Sequence, residues 1–173
     1  MTAPLRPPIQ AAVLTASDRC ARGEVRDESG PSVSAFLREH LAADVVESAC
    51  LPDDAGALET RFRHWCRPDS GIDLIVSTGG TGLSPRDVTP EAAARVISRQ
   101  HPGLMELARA FTGRTNPRAY LSRGIAGVAN RTLIITLPGS PRGAVEQLEA
   151  ISAILPHAIA VVRGDVTHPH PPA

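Results

Sequence analysis

The sequence predicts an α/β fold of three layers, in which helices cover both faces of a mostly parallel central sheet. Short apolar runs alternate with amphipathic stretches along the chain, which is the pattern of successive βαβ units. The run at 72–77 is nearly continuous in apolar residues, as is typical of a central strand buried on both faces. A chain of 173 residues with 42% hydrophobic residues is long enough for one domain with a sizeable core.

The two ends of the chain contain many prolines and no apolar periodicity. We therefore expect residues 1–8 and 166–173 to be disordered and residues 9–165 to form a single domain. The beginning of the chain lacks the apolar stretch of a signal peptide, and no run approaches the roughly 18 apolar residues of a membrane span. These features predict a cytoplasmic protein without a membrane partner.

The charged residues and cysteines exclude several classes of function. The 18 cationic and 18 acidic residues cancel, so the net charge predicts no nucleic-acid partner. Every cationic residue is arginine, which excludes a P-loop lysine and any chemistry at a lysine amine. The three cysteines include no CxxC pair, so they predict neither a zinc site nor a disulfide framework.

The first half of the chain contains three predicted strands with two helices between them. The strand at 9–15 leads into a polar loop, after which Pro31 suits the first turn of a helix. The apolar stripe of this helix consists of Val33, Phe36, Leu37, His40 and Leu41. A short strand at 45–49 precedes an amphipathic helix that ends before Pro68, and the buried strand at 72–77 follows.

Helix signals and one strand pair mark the second half of the chain. Thr89-Pro90-Glu91 combines a cap, a first-turn proline and a first-turn acid, so a helix begins there. The apolar runs 125–129 and 133–137, joined by a turn, indicate a strand pair. The remaining helices are predicted at 103–111, at 141–155, and from Pro156 to about Gly164.

The strand at 72–77 ends in a glycine-rich loop, Thr78-Gly79-Gly80-Thr81-Gly82. In an open α/β sheet, ligands bind beyond the carboxyl ends of the strands. Glycines let the backbone turn its N–H groups toward an oxyanion and approach it closely. A phosphate group is the expected ligand, although an ordinary tight strand-to-helix turn would also use glycines.

The residues that follow this loop favour the phosphate interpretation. Arg86 supplies a cation and Asp87 a carboxylate that could hold a divalent metal ion on a polyphosphate. The helix that begins at Thr89 presents an N-terminus with about half a positive charge. The alternative is that Arg86 and Asp87 only pair with each other at the surface.

Three other loops that follow strands leave two interpretations open. Asp53 precedes a helix, and on the sequence alone it is most simply explained as an N-cap. Ser17 and Asp18 are common turn formers, and the segment Gly139-Ser140-Pro141 could be only a strand exit and a helix cap. That segment also presents bare N–H groups, and two anion sites in one crevice would suit two phosphorylated ligands.

The segment from Thr78 to Glu91 resembles the signature of the MoaB/Mog molybdopterin-binding proteins. Three further segments agree in order with that family: Ser17-Asp18-Arg19, Leu51-Pro52-Asp53, and Leu121-Ser122-Arg123 leading to Leu137-Pro138-Gly139-Ser140-Pro141. The resemblance covers about residues 9–164. It implies a mostly parallel sheet between helices, a trimer or hexamer, and the formation of adenylyl-molybdopterin and pyrophosphate from Mg-ATP and molybdopterin.

The same resemblance implies roles for particular residues. Asp53 and Asp87 would be the acids essential to the reaction and the ligands of Mg²⁺. The phosphate-binding residues would be Thr78, Gly79, Gly80, Thr81, Gly82 and Arg86. The substrate crevice would be lined by Ser17, Asp18, Ser122, Pro138, Gly139 and Ser140. The molybdate-inserting enzyme of the same pathway is a further expected partner.

Two other functions are compatible with these motifs. A MoaB-type protein would bind and carry molybdopterin without transferring adenylate, and the turn after Leu137 departs from the pattern of better-known catalytic members. A CinA-like nucleotide enzyme would cleave ATP or a dinucleotide without any pterin. Nucleotide binding and its dependence on the pterin distinguish the three.

Overall fold

The computed structural model describes residues 8–166, so most of the two predicted disordered ends lies outside the described residues. A single six-stranded sheet has the order β2-β1-β3-β6-β5-β4. The first four strands of this order are parallel to one another, β5 is antiparallel to β6, and β4 is antiparallel to β5. The strands are β1 Gln10–Ala16, β2 Asp44–Leu51, β3 Leu74–Thr78, β4 Arg99–Gln100, β5 Ala126–Ala129 and β6 Thr132–Leu137.

Helices connect the strands and cover both faces of the sheet. They are α1 Asp18–Ala21, α2 Ser29–Leu41, α3 Ala55–Trp65, α4 Thr89–Ala94, α5 Pro102–Gly113, a 3-10 helix Pro117–Leu121, α6 Pro141–Ser152 and α7 Leu155–Arg163. No single helix among residues 8–166 is long and apolar enough to cross a membrane. The bent pair α6 and α7 passes that test by combined length and composition only.

The buried side chains of β1 show how the three layers form. Ala11 and Val13 belong to the core against α2, α5, α6 and α7, whereas Ala12 and Leu14 belong to the core against α3 and α4. Successive residues of a strand point to opposite faces, so a strand that is apolar throughout must be covered on both sides. The predicted three-layer, mostly parallel α/β fold is therefore confirmed.

The structure differs from the predicted elements mainly around the first loop and the sheet edge. Helix α2 begins at Ser29 rather than Pro31, because the Asp27 carboxylate accepts a hydrogen bond from the Gly30 amide at 3.0 Å. The short helix α1 lies in the segment expected to be a loop. The two-residue edge strand β4 was not predicted, because it is exposed and too short to show a period.

Candidate active site

Two adjoining cavities lie at the carboxyl ends of β1, β3 and β6. The larger has a volume of about 390 Å³ and lies between the glycine-rich loop, the end of α5 and the start of α6. The smaller, of about 330 Å³, lies between the same loop and the segment that joins β1 to α2. Gly80, Asp87 and Gly139 belong to the walls of both cavities. A ligand in one cavity would therefore meet a ligand in the other.

The shared wall presents backbone amides that have no acceptor among the described residues. The Gly79 amide donates to the Leu137 carbonyl at 3.1 Å, so it is occupied. Within residues 8–166, the amides of Gly80, Thr81 and Gly82 donate to no protein atom. The carbonyls of the same three residues are all engaged, with the Thr89 amide and with the Arg123 amide and Nε. The loop thus satisfies its carbonyls internally and leaves three donors for an anion.

Glycine is required at two positions of this loop. Gly79 has φ +92°, and a Cβ there would overlap the Ala16 carbonyl oxygen. Gly80 has φ +61°, and a Cβ there would overlap the Thr89 hydroxyl and lie 2.9 Å from Oδ1 of Asp53. The left-handed conformation turns successive amides to one side, and the missing side chain leaves space beside Asp53.

The turn after β6 packs directly against this loop. A Cβ on Gly139 would lie 3.2 Å from the Gly79 Cα, so the two turns are nearly in contact. Ser140 is the N-cap of α6, and its hydroxyl accepts from the Gly143 amide at 3.1 Å. The amides of Gly139 and Ser140 donate to no atom of the described chain. Both residues, with Pro138, line the larger cavity.

Asp53 is not the N-cap of α3. That role belongs to Asp54, whose carboxylate accepts from the Ala57 amide at 2.8 Å. Asp53 instead exchanges hydrogen bonds with Asp18: each backbone amide donates to the other's carboxylate, at 3.0 and 3.1 Å. These bonds tie the loop after β1 to the loop after β2 and fix the Asp53 carboxylate at the smaller cavity.

The second oxygen of Asp53 is left without a partner. Oδ1 is buried, and no donor among residues 8–166 reaches it. Burial raises the pKa of Asp53, and the nearby negative charges of Asp18 and Asp87 raise it further. The hydroxyl of Thr89, which also lies beside Gly80, is buried and unpartnered as well. A buried carboxylate oxygen with no donor is costly unless a cation or a ligand completes it.

Asp87 lies on the other side of the glycine loop, in the walls of both cavities. Its Oδ2 accepts from the Ser84 amide at 2.8 Å, which holds the carboxylate next to Gly82. In the described part of the chain, no group of three or more His, Cys, Asp or Glu residues is placed to hold a metal ion. Asp53 and Asp87, which both line the smaller cavity, are the two predicted acids that could bind a metal ion there.

Arg86 does not pair with Asp87, and it does not line either cavity. Its guanidinium donates to both carboxylate oxygens of Asp18, at 2.8 to 3.2 Å, and this bond lowers the pKa of Asp18. Neither residue belongs to the walls of the two cavities. The structure therefore places Arg86 and Asp18 as an ion pair that joins two loops. It does not place Arg86 among the free amides as a phosphate clamp.

The other predicted residues lie at the cavities. Ser17 and Thr78 line the smaller one; the Ser17 hydroxyl caps α1, and the Thr78 hydroxyl donates to that of Ser29 at 2.7 Å. Ser122 lines the larger one, and its hydroxyl donates to that of Thr81 at 3.3 Å. The predicted N-terminus at Thr89 contributes less than expected, because α4 has only six residues and the Thr89 amide donates to the Gly80 carbonyl.

Two arginines that the sequence did not single out are available for anions. Arg118, on the 3-10 helix, lines the larger cavity, and Arg26 lines the smaller one. Neither guanidinium makes an ion pair or hydrogen bond within residues 8–166. No sequence signal identifies either residue, because each reaches its cavity only through the tertiary fold. Among the described residues, each cavity thus combines free amides with one arginine that has no ion-pair partner.

Arg123 holds the glycine loop and the acidic segment after it in place. Its guanidinium donates to the carbonyls of Gly82 at 2.7 Å and Asp87 at 2.6 Å, and it pairs with Glu91. Its amide donates to the Thr81 carbonyl at 2.8 Å. The hydrogen bond from the Arg123 guanidinium lowers the pKa of Glu91. One side chain therefore sets the distance between the free amides and Asp87.

Replacing Arg123 with alanine should release this segment. We expect the free energy of unfolding to fall by about 1 to 3 kcal/mol, since three hydrogen bonds to a charged group are lost. We also expect turnover to fall at least tenfold, because the loop loses its fixed geometry. Urea unfolding and steady-state kinetics check both. Arg67→Ala, which removes an exposed pair with Asp69 at the other end of the sheet, should change neither measurably; equal effects of the two variants would contradict the role of Arg123.

The fold and these cavities define a class: an α/β domain with two adjoining, amide-lined cavities at the carboxyl ends of its parallel strands. Residues 12–157 match the family model described as "Probable molybdopterin binding domain", and the chain belongs to this family. The resemblance to MoaB/Mog proteins is thereby confirmed.

Individual relatives agree with this assignment. The chain is 37% identical over 158 residues to the molybdopterin adenylyltransferase of Helicobacter pylori strain J99, covering 91% of this chain and 89% of that protein. It is 37% identical over 155 residues to the molybdenum cofactor synthesis protein cinnamon of Drosophila melanogaster; the match covers 90% of this chain but 26% of cinnamon. The chain is also similar to the crystal structure of the molybdopterin biosynthesis enzyme MoaB from Thermus thermophilus, with 44% sequence identity and a TM-score of 0.85. This match covers 90% of this chain and 97% of that one.

Proposed function

We propose that this protein transfers the adenylate group of ATP to the terminal phosphate of molybdopterin, giving adenylyl-molybdopterin and pyrophosphate. The observation that carries the proposal is the wall of free amides at Gly80, Thr81 and Gly82 between two adjoining cavities. A transfer between two phosphorylated ligands requires both phosphates at one set of donors, and this geometry supplies it. The adenylyltransferase of Helicobacter pylori, which is similar over nearly its full length, supports the same reaction.

The residues of the two cavities favour one arrangement of the ligands. The smaller cavity is lined by four acids, Asp27, Glu28, Asp53 and Asp87, which suits a nucleotide that carries Mg²⁺. The larger cavity is lined mainly by hydroxyl, amide and backbone groups, which suits an uncharged heterocycle. We therefore assign Mg-ATP to the smaller cavity and molybdopterin to the larger one, with their phosphates meeting at Gly80.

The residues at the shared wall position the two phosphates and stabilise their negative charge. The attacking group is a phosphate monoester with a second pKa of about 6, so it is already ionised at neutral pH and requires no general base. The free amides and the unpaired Arg26 and Arg118 offset the charge of the two polyanions as they approach. Arg123 holds the loop that carries the free amides in place before substrate arrives, and the Asp18–Asp53 bonds hold the Asp53 carboxylate.

Asp53 and Asp87 fit a magnesium ion. The unpartnered Oδ1 of Asp53 is an oxygen donor of the kind that Mg²⁺ prefers, and the space that a Cβ on Gly80 would fill lies beside it. Mg²⁺ usually takes one or two carboxylates, with phosphates and water as its other ligands, so two acids are sufficient. When bound, the ion would neutralise charge on the triphosphate and on the departing pyrophosphate.

The proposal extends to assembly and location. Leu107 and Phe111 lie one turn apart on α5 and are exposed, as are Tyr120 and Leu121 on the adjacent 3-10 helix. Exposed apolar side chains that lie together are typical of an interface, and we assign this surface to contacts within a homotrimer, with a hexamer as the larger form. We further propose that the protein acts in the cytoplasm and passes its product to the molybdate-inserting enzyme.

The reaction is tested by incubating the purified protein with molybdopterin and Mg-ATP and detecting products by mass. We expect adenylyl-molybdopterin and an equal amount of pyrophosphate, and neither product when either substrate is omitted. Pterin binding without product would indicate a molybdopterin carrier. ATP cleavage that does not depend on the pterin would indicate a nucleotide enzyme of the CinA-like kind.

Substitution of Gly80 tests the amide wall separately from general strain. Gly80→Ala places a Cβ beside Asp53 and Thr89, so we expect a loss of Mg-ATP binding of at least tenfold and a large loss of turnover. Gly71→Ala is the matched control, because Gly71 also has positive φ (+70°) but has no atom within 4 Å of its Cβ position. Both should lose roughly 1 to 2 kcal/mol of stability from backbone strain, and Gly80→Ala should lose more because its Cβ also overlaps the Thr89 hydroxyl. Normal ATP binding by Gly80→Ala in a calorimetric titration would count against the amide wall.

A further inference from the structure

Gln147 is a buried amide side chain that makes no hydrogen bond within the described part of the chain. It lies on the second turn of α6 and is 1% exposed. Its Oε1 is buried, and no donor among residues 8–166 reaches it. A buried amide oxygen left unpaired costs about 1 to 3 kcal/mol, so an apolar residue of similar size would make the ligand-free protein more stable. A cost of this kind points to a group that is completed only in a complex.

The position of Gln147 indicates what completes it. Gln147 belongs to the wall of the larger cavity, one turn along α6 from Gly143 and near the Ser140 cap. Thr112 forms the wall on the α5 side, but its hydroxyl already donates to the Ala108 carbonyl at 2.8 Å. The cation of this cavity is Arg118, and its free amides belong to the glycine loop and to Gly139 and Ser140. Gln147 thus supplies an uncharged hydrogen-bonding group to the wall of the larger cavity.

The chemistry of a primary amide selects its ligand. A glutamine side chain carries an acceptor and two N–H donors on one planar group, so it pairs with a ring edge that offers N–H beside a carbonyl. The pyrimidine ring of a pterin has such an edge, with its N3–H next to the 4-oxo group. A site whose buried polar group is left unpaired by the wrong ligand discriminates strongly against that ligand.

We infer that Gln147 is a specificity-determining residue that recognises the N–H and carbonyl edge of the pterin ring in the larger cavity. This inference rests on the proposed assignment of molybdopterin to that cavity. Gln147 touches the ring and not the reacting phosphates, so it contributes to binding of the pterin and leaves the transfer step unchanged. Its contribution should appear in the KM for molybdopterin and in the Kd for the pterin, but not in kcat.

The test compares the wild-type protein with Gln147→Met, which is close in size and has no amide. We expect the KM and the fluorescence-measured Kd for molybdopterin to rise ten- to hundredfold, which corresponds to about 1.4 to 2.8 kcal/mol. We expect kcat and the KM for ATP to stay within twofold of wild type, and the melting temperature to rise or stay equal. Gln147→Leu is the second variant and should behave in the same way.

Ser77→Ala is the matched control. The Ser77 hydroxyl is also buried and unpartnered in the described part of the chain, but Ser77 lies within β3 and lines neither cavity. This variant should leave the KM for molybdopterin unchanged. Unchanged KM and Kd in both Gln147 variants, with an active wild-type enzyme, would overturn the inference and leave the proposed reaction standing. A wild-type protein that binds molybdopterin without turnover would overturn only the reaction, and one that does not bind it would overturn both.

Discussion

Replacing Asp87 with alanine is expected to abolish formation of adenylyl-molybdopterin while leaving molybdopterin bound. Asp87 lies at the wall that both cavities share, where the charge of the departing pyrophosphate has to be offset. Loss of a group that stabilises charge in the transition state typically costs 10²- to 10³-fold in kcat, and loss of a metal ligand should cost at least about that much. Single-turnover kinetics and fluorescence titration with molybdopterin measure the two effects separately.

A second substitution separates the charge of Asp87 from its structural bond. Asp87→Asn keeps an oxygen that can accept from the Ser84 amide, so the loop should retain its shape. If the carboxylate acts through its charge on Mg-ATP, this variant should be as inactive as Asp87→Ala. Substantial turnover by Asp87→Asn would assign Asp87 a structural role only.

Asp53→Asn is expected to abolish turnover and to make the ligand-free protein more stable. The substitution removes a desolvated negative charge and its repulsion by Asp18 and Asp87, and it keeps an oxygen for the Asp18 amide. Because removing this charge relieves both its desolvation and the repulsion, we expect the free energy of unfolding at pH 8 to rise by about 1 kcal/mol. Most point mutations lower stability, so a gain would be diagnostic.

The pH dependence of this gain has a definite sign. The pKa of Asp53 is raised above its ordinary value of 3.8 in the folded protein, so the folded state takes up the proton before the unfolded state does as pH falls. In the wild-type protein, the ionised Asp53 carboxylate lowers the free energy of unfolding by its full amount above the raised pKa. This loss disappears below the ordinary pKa of 3.8, where Asp53 is protonated in both states. The stability difference between Asp53→Asn and wild type should therefore shrink toward zero as pH falls below 3.8. Urea unfolding across this range measures it, and a difference that grows on acidification would contradict the account.

The sequence predicted those parts of the fold that depend on local patterns. The apolar run at 72–77 and the proline at position 141 predicted β3 and α6 because burial and helix initiation act on neighbouring residues. The free amides of Gly80 to Gly82 were also predictable, since glycines after a buried strand indicate an anion-binding turn. The exposed edge strand β4 has too few residues to carry any such pattern.

The parts of the site that were not predictable depend on contacts between distant segments. Asp53 and Asp54 are adjacent acids before one helix, and only the bond from Asp53 to Asp18, 35 residues away, shows which one is free of the cap. The sequence predicted Arg86 to be a phosphate ligand next to Asp87, but in the folded protein Arg86 forms an ion pair with Asp18. Gln147 sits among the apolar positions of α6, and its missing partner becomes visible only when all neighbours are placed.

The most direct measurement of the central claim is an amide NMR titration of the full-length protein with Mg-ATP. We predict large downfield shifts for the amide protons of Gly80, Thr81 and Gly82, because these donors gain phosphate oxygens as acceptors. The amide of Gly79, which already donates to the Leu137 carbonyl, should shift much less and serves as the internal reference. Saturable nucleotide binding that leaves those three signals in place would contradict the claim that this loop holds the phosphates.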